Sequence, residues 1–139
     1  MLFRSPNSLA VTPGSTKVFV VGGDSDTVTP ITAATGRAGR GTPVGYSPAA
    51  VAISGGTAYV VNTISGTLTP VSTATGQAGP PIRTGIYTYP TAIELTQSGV
   101  TAVVIGTYAG RATLVSTRTR KVIARITVGL YPVAVAIAG

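Results

Sequence analysis

Short runs of apolar residues recur along the chain at a regular interval, and each run follows a proline. The four prolines are Pro6, Pro48, Pro90 and Pro132, which lie 42 residues apart. Val and Ile are frequent in the runs, and these β-branched residues favour extended chain. A fixed period in a sequence indicates an internal structural repeat, so the pattern predicts four copies of one strand.

Further apolar runs follow this first strand in every complete copy. Second runs lie at 17–22, 58–62 and 101–106, each after a turn that contains glycine. Third runs lie at 27–32, 67–72 and 111–116, and they alternate apolar and polar residues with a period of two. This period is typical of a strand with one covered face. Tight turns with Gly36 and Gly76 lead to a shorter fourth segment, which is clearest at 121–128, so each copy is predicted to contain four strands.

Two prolines lie inside the third runs, at Pro30 and Pro70. Proline has no backbone N–H and is tolerated inside a sheet only where that donor is not needed. We therefore expect both prolines to face a bulge or an irregular part of the strand ladder.

The second copy contains three diagnostic phrases. They are Gly45-Tyr46-Ser47-Pro48, Ala58-Tyr59-Val60-Val61-Asn62 and Gly66-Thr67-Leu68-Thr69-Pro70-Val71-Ser72-Thr73-Ala74-Thr75-Gly76. Together they resemble the YVTN/YncE-type β-propeller repeat family. The other copies depart from the pattern at Gly22 and Gly106, where the second copy has Asn62, and at Arg120, where the family has the turn glycine. The resemblance covers essentially the whole chain and implies a fold rather than a ligand, since this fold supports many functions.

The implied fold is all-β and consists of β-propeller blades, namely three four-stranded antiparallel blades plus the first strand of a fourth. The blades are expected at 5–46, 47–88 and 89–130, with a partial copy at 131–139, in a single domain spanning 1–139. Propellers close with about four to eight blades, and the resemblance implies seven. Three interpretations follow: the chain is part of a longer propeller, several copies complete a ring by strand addition, or an open arc keeps its edges exposed.

The composition excludes several kinds of catalytic and metal site. The chain of 139 residues has no His and no Cys, and its ten Lys or Arg residues against three acids give a formal net charge of +7. Without His or Cys there is no Ser-His-Asp triad, no thiol nucleophile and no usual zinc site, so we expect a non-catalytic protein without a cofactor. The only dense basic run, 118–121, is not interleaved with aromatic residues, which favours a solubilising outer face over nucleic-acid binding.

The resemblance also implies a common face for the segments before each repeat proline and the loops after each second strand. The candidate ligand-binding residues near that face are Tyr46, Tyr87, Tyr89, Tyr108, Tyr131, Asn62 and Arg111. Tyrosine offers a rigid contact area with a polar tip, which suits sugars, peptides or another protein. The alternative is that the rings cover the apolar strands beneath them. Asp24 and Asp26 form a weak candidate cation site, for which a solvated turn is the alternative.

The predicted function is that of a binding or scaffolding surface for a protein or a cell-envelope ligand. One alternative is a fragment of a larger propeller enzyme, similar to a lyase or oxidoreductase, whose catalytic residues lie outside this chain. A second alternative is a basic nucleic-acid-binding module. No apolar run is long enough to span a membrane, and the first residues do not encode a secretory signal. The resemblance implies an extracellular or cell-envelope location.

Overall fold

The computed structural model describes residues 5–85 and 88–138, and its regular secondary structure in these ranges consists of β-strands. The strands are β1 Pro6–Val11, β2 Lys17–Gly22, β3 Thr27–Thr32, β4 Arg37–Ala38, β5 Thr42–Pro43, β6 Pro48–Ser54, β7 Thr57–Asn62, β8 Thr67–Ser72, β9 Ile82–Arg83, β10 Pro90–Leu95, β11 Thr101–Gly106, β12 Arg111–Ser116 and β13 Lys121–Thr127. The all-β prediction is confirmed. Over the described ranges, no helix is long and apolar enough to cross a membrane.

The strands form three antiparallel sheets that follow the sequence repeat. Sheet 1 has the order β1-β2-β3, with β4 and β5 both pairing with β3. Sheet 2 has the order β6-β7-β8-β9, and sheet 3 has the order β10-β11-β12-β13. The pairing of first and second strands shifts register just after the repeat proline in every sheet, at Pro6, Pro48 and Pro90. Each sheet is therefore an up-and-down meander whose first strand begins with a bulge.

The prolines of the third strands lie beside a gap in the fourth, outer strand of the sheet, as predicted. In sheet 1, β4 pairs with the end of β3 and β5 with its start, which leaves Pro30 between them. The Pro30 carbonyl accepts a hydrogen bond from Gly39 N at 2.7 Å. Because the N–H and C=O of one strand residue point to the same side, the missing donor of Pro30 falls in this gap. Leu114 stands at the corresponding place of sheet 3, where β13 continues past it.

Two apolar layers hold the sheets together, and sheet 2 contributes to both. Ala58 and Val60 of β7 belong to the cluster that includes Phe19 of sheet 1. Tyr59 and Val61 of the same strand belong to the cluster shared with sheet 3. Successive side chains of a strand point to opposite faces, so a strand covered on both faces is apolar at every position. This explains why the second strand of sheet 2 is continuously apolar from Ala58 to Val61.

Residues 132–138 follow sheet 3 and repeat the sequence of the first strands, but they pair with no strand of the described chain. In each of the three sheets the first strand pairs with the second strand of its own copy. The described segment 132–138 has no such second strand beside it. Its contact with sheet 3 includes a hydrogen bond of 3.0 Å from Thr107 Oγ1 to the Pro132 carbonyl.

A side-chain hydrogen bond ties each copy to the repeat proline of the next. Thr63 Oγ1 donates to the Pro90 carbonyl at 2.8 Å, in the same way as Thr107 Oγ1 donates to Pro132. The corresponding residue of sheet 1 is Gly23, which has no hydroxyl. There Asn7 Nδ2 donates to the Pro48 carbonyl instead, at 2.9 Å. A Cβ on Gly23 would overlap Asn7 Nδ2, so the glycine and the asparagine are complementary.

We expect Asn7→Ala to lower the free energy of unfolding by about 0.5–1.5 kcal/mol, because the bond to Pro48 is lost. Adding Gly23→Thr to that variant should recover part of the loss, because it supplies the hydroxyl that the other copies use. Urea unfolding of both single variants and the double variant measures the coupling between the two sites. If Gly23→Thr stabilises the Asn7→Ala protein no more than it does the wild type, the proposed exchange is wrong.

Candidate ligand-binding face

One end of the three sheets gathers the loops that the sequence analysis placed together. We call it the loop face, and it comprises residues 23–26, 44–47, 63–66, 84–85, 88–89, 107–110 and 128–131. Hydrogen bonds join its loops: Ser47 N donates to Asp26 Oδ1 at 2.8 Å, and Tyr46 N donates to Ser65 Oγ at 2.7 Å. In an up-and-down meander, the second turn and the connection to the next sheet lie at the same end, which accounts for this arrangement.

The backbone turns sharply at the residue before three of the four repeat prolines, Pro48, Pro90 and Pro132. Ser47, Tyr89 and Tyr131 have φ angles of 54°, 40° and 53°. A residue before proline normally adopts extended backbone, and a non-glycine residue in the left-handed region is strained. The fold therefore holds three equivalent positions of the loop face in an unfavourable conformation, and tyrosine occupies two of them.

Three tyrosines of the loop face form a continuous cluster. The ring centroids of Tyr89 and Tyr108 are 5.5 Å apart, and those of Tyr108 and Tyr131 are 6.1 Å apart, both in edge-to-face geometry. Such geometry is favourable for aromatic pairs. Tyr108 and Tyr131 remain 68% and 63% exposed, and Tyr89 is 38% exposed. The tyrosine cluster, as we call these three residues, therefore presents aromatic surface to solvent.

The other predicted tyrosines lie apart from the cluster or outside the description. Tyr46 is 69% exposed on the loop before β6. Tyr87 lies outside the described residues. Of the five tyrosines predicted to share this face, the structure thus brings three into one cluster, in which Tyr108 contacts both Tyr89 and Tyr131.

Asn62 differs from its predicted place as a surface residue, because the structure buries it completely below the loop face. Its Nδ2 donates to Thr69 Oγ1 at 2.8 Å and to Thr67 Oγ1 at 3.1 Å, which ties β7 to β8. Gly45 lies directly above it, so close that a Cβ on Gly45 would be 2.8 Å from Asn62 Cγ. A ligand on the loop face has no access to this amide. Asn62 Oδ1 has no hydrogen-bond partner within the described structure.

A groove of about 750 Å³ opens between sheets 2 and 3 on the loop face. Its lining includes Arg83, Arg111 and Arg125, together with Tyr89 of the tyrosine cluster. Arg125 Nε donates to the Thr84 carbonyl at 3.1 Å, which orients that guanidinium. We call this the arginine groove. Arg111 is among the residues predicted from the sequence, but Arg83 and Arg125 are not, because the sequence does not show that two fourth strands bring them to the same groove.

The two acids of the first loop are engaged within the chain. Asp24 Oδ2 accepts a hydrogen bond from Ser5 Oγ at 2.7 Å, and Asp26 Oδ1 accepts the one from Ser47 N. Among the described residues, no three His, Cys, Asp or Glu side chains are grouped so that they could hold a metal ion. The carboxylates therefore fix loops of the loop face, and the candidate cation site gains no further ligand from the described chain.

Solved structures share this fold at low sequence identity. Hydrazine synthase of Kuenenia stuttgartiensis superposes with a TM-score of 0.85 and 23% identity, over 92% of this chain and 37% of that one. A putative 6-phosphogluconolactonase of Bacteroides uniformis gives 0.82 and 14%, over 96% of this chain and 44% of that one. A catalytically inactive variant of Staphylococcus aureus virginiamycin B lyase, in which alanine replaces a histidine, gives 0.70 and 12%, over 82% and 39%.

These similarities define the fold as that of a β-propeller, and the three sheets as propeller blades. The chain spans less than half the length of each of the three compared proteins. Comparison with protein-family models gives no match, and comparison with curated proteins gives none either. The resemblance to the YVTN/YncE-type repeats stays a prediction.

Proposed function

We propose that this chain is a non-catalytic binding module of a β-propeller, and that it recognises a protein or a cell-envelope polymer through its loop face. The tyrosine cluster is the observation that supports this most directly. Three tyrosines in contact with one another provide rigid apolar area and hydroxyl groups together, and such residues are enriched where proteins bind partners.

The conformation of the cluster adds to this argument. Tyr89 and Tyr131 occupy the strained position that Ser47 fills in sheet 2. A small serine meets the backbone requirement there, so the fold does not need a large ring at that place. Rings that are exposed where a serine suffices are more consistent with recognition than with covering the strands.

The enzyme alternative requires catalytic residues from outside this chain. The lyase compared above is described as inactive when a histidine is replaced by alanine. This chain has no histidine and no cysteine. We therefore favour binding over catalysis, and we propose an extracellular or cell-envelope location from the YVTN/YncE resemblance.

A triple variant tests the role of the tyrosine cluster. Tyr89→Ser, Tyr108→Ser and Tyr131→Ser remove the three rings, and serine is already accepted before the repeat proline at Ser47. We expect retention on immobilised cell-envelope extract to fall at least about tenfold, since loss of central aromatic contacts often costs more than 1 kcal/mol each. Circular dichroism and thermal melting establish that the variant folds.

Val100→Ser is the matched control, because Val100 is 54% exposed on the turn between β10 and β11, which lies at the opposite end of sheet 3 from the loop face. It should leave retention unchanged. A folded triple variant that is retained as well as the wild type would contradict the proposal. If the retention of the wild type and that of the triple variant fall equally and steeply as the salt concentration rises, the nucleic-acid alternative is favoured.

A further inference from the structure

We propose that the arginine groove binds a small ligand with more than one oxyanion group, either phosphate or carboxylate. The inference rests on the proposed function, in that it assigns a ligand class to one part of the loop face. Arg83 comes from sheet 2, and Arg111 and Arg125 come from sheet 3, so the site exists only because the two blades adjoin.

The positive charge of the groove supports an anionic ligand. Three arginines line the groove, and no acidic residue is among the lining residues that the structure describes. Like charges that share a concave surface repel one another, and an anion between them removes that repulsion. Guanidinium presents paired donors that match the oxygens of carboxylate and phosphate, so this residue type favours an oxyanion over other anions.

One arginine of the groove, Arg125, is held in place by the protein itself. The Thr84 carbonyl accepts the hydrogen bond from Arg125 Nε, and Thr84 is itself fully buried. Thr84 Oγ1 donates to the Gly66 carbonyl at 2.9 Å, which ties this part of the lining to the loop of sheet 2. A guanidinium held through Nε keeps its Nη groups for a ligand and loses less side-chain freedom when the ligand binds.

The repeat itself does not require these arginines. In the strand register, Arg83 corresponds to Pro43 of sheet 1, and Arg111 corresponds to Thr67 of sheet 2. The equivalent junction between sheets 1 and 2 therefore has Pro43 and Thr67 where this junction has two charges. Cationic residues concentrated at one junction of a repeat fold point to a role beyond folding.

Size and lining favour a small molecule over a polymer. A volume of about 750 Å³ lies within the range of small-molecule sites. Among the described lining residues, Tyr89 supplies the one aromatic ring beside the arginines. Single-stranded nucleic acid is bound along extended grooves with successive stacking rings, an arrangement that this groove lacks among its described lining residues.

Isothermal titration calorimetry with pyrophosphate and, separately, with citrate tests the inference on the protein as it stands. We expect saturable binding of at least one anion, and the tighter one identifies phosphate or carboxylate chemistry. The double variant Arg83→Gln and Arg111→Gln should weaken that binding at least about tenfold, as charge-assisted hydrogen bonds are lost. Arg118→Gln, on the exposed turn between β12 and β13, is the control and should leave binding unchanged.

Three outcomes would overturn the inference: no saturable binding of either anion, equal weakening by Arg118→Gln, or unchanged affinity in the folded double variant. If the double glutamine variant does not fold, Arg111→Lys replaces it, because lysine keeps the charge but lacks the paired donors of arginine. Undiminished anion affinity in the Arg111→Lys protein would also contradict the inference. The Tyr→Ser triple variant separates the two proposals. If envelope retention still depends on the tyrosine cluster while neither anion binds, only the anion inference is wrong.

Discussion

Leu68→Ala is expected to lower the free energy of unfolding by about 2–5 kcal/mol, the range found for buried leucines. Leu68 is fully buried on β8, in the apolar layer that joins sheets 2 and 3. Truncation to alanine removes apolar contacts and leaves a cavity. The strands on the two sides of the layer close this cavity only in part, because hydrogen bonds fix them in their sheets. A loss of this size is a large fraction of the total stability of an ordinary domain.

The same substitution at Leu130 is the control. Leu130 is 84% exposed on the loop face, so Leu130→Ala should change the stability by no more than about 0.5 kcal/mol. Urea unfolding followed by circular dichroism measures both. Equal stability of the two variants would show that Leu68 contributes little to the layer between sheets 2 and 3.

The repeat in the sequence predicts the sheets well because it encodes local geometry. The third-strand prolines required a gap in the ladder, and the gap is present beside Pro30. Tight turns were expected at Gly36 and Gly76, and there both glycines adopt positive φ angles, of 67° and 73°. Arg120 adopts 56° at the corresponding turn of sheet 3. The turn geometry thus persists where the residue preference does not.

The candidate site was less predictable, because it depends on contacts between copies. Two candidate residues close to Gly45 have different environments: Asn62 is buried under that glycine, while Tyr46, next to it in the chain, is exposed. The arginine groove combines side chains from two consecutive sheets, and Arg83 and Arg125 are 42 residues apart in the chain. The left-handed backbone at Tyr89 and Tyr131 is opposed to the ordinary preference of a residue before proline, so local rules predict against it.

Because sheet 2 lies between the other two sheets, we expect its residues to respond most strongly to substitution. Both of its faces are covered by neighbouring sheets, so polar side chains within it need internal hydrogen-bond partners. Sheets 1 and 3 each have one face without such cover in the described chain, where Leu9 and Ile123 are exposed. Buried polar groups of sheet 2 are therefore the sites at which a small chemical change has a large energetic effect.

Asn62→Asp should be among the most destabilising substitutions of similar size in this protein. At neutral pH we expect a loss of about 3–5 kcal/mol, the cost of leaving a buried charge uncompensated. The Nδ2 donor that bonds to Thr67 and Thr69 is replaced by an acceptor. No arginine or lysine is among the hydrogen-bond partners of Asn62 in the described structure, so the introduced carboxylate gains no counter-ion from them.

The pH dependence of this loss distinguishes buried charge from simple loss of shape. Burial disfavours the charged form and raises the pKa of the introduced carboxyl above its unfolded value of about 3.9. Between those two pKa values the folded state holds a proton that the unfolded state releases, so the stability of the variant relative to wild type falls as pH rises, by up to about 1.4 kcal/mol per pH unit. Asn7→Asp, at the exposed asparagine, should show a much smaller dependence. Urea unfolding of both variants across the acidic range measures the difference, and a pH-independent loss for Asn62→Asp would mean that solvent reaches this part of sheet 2.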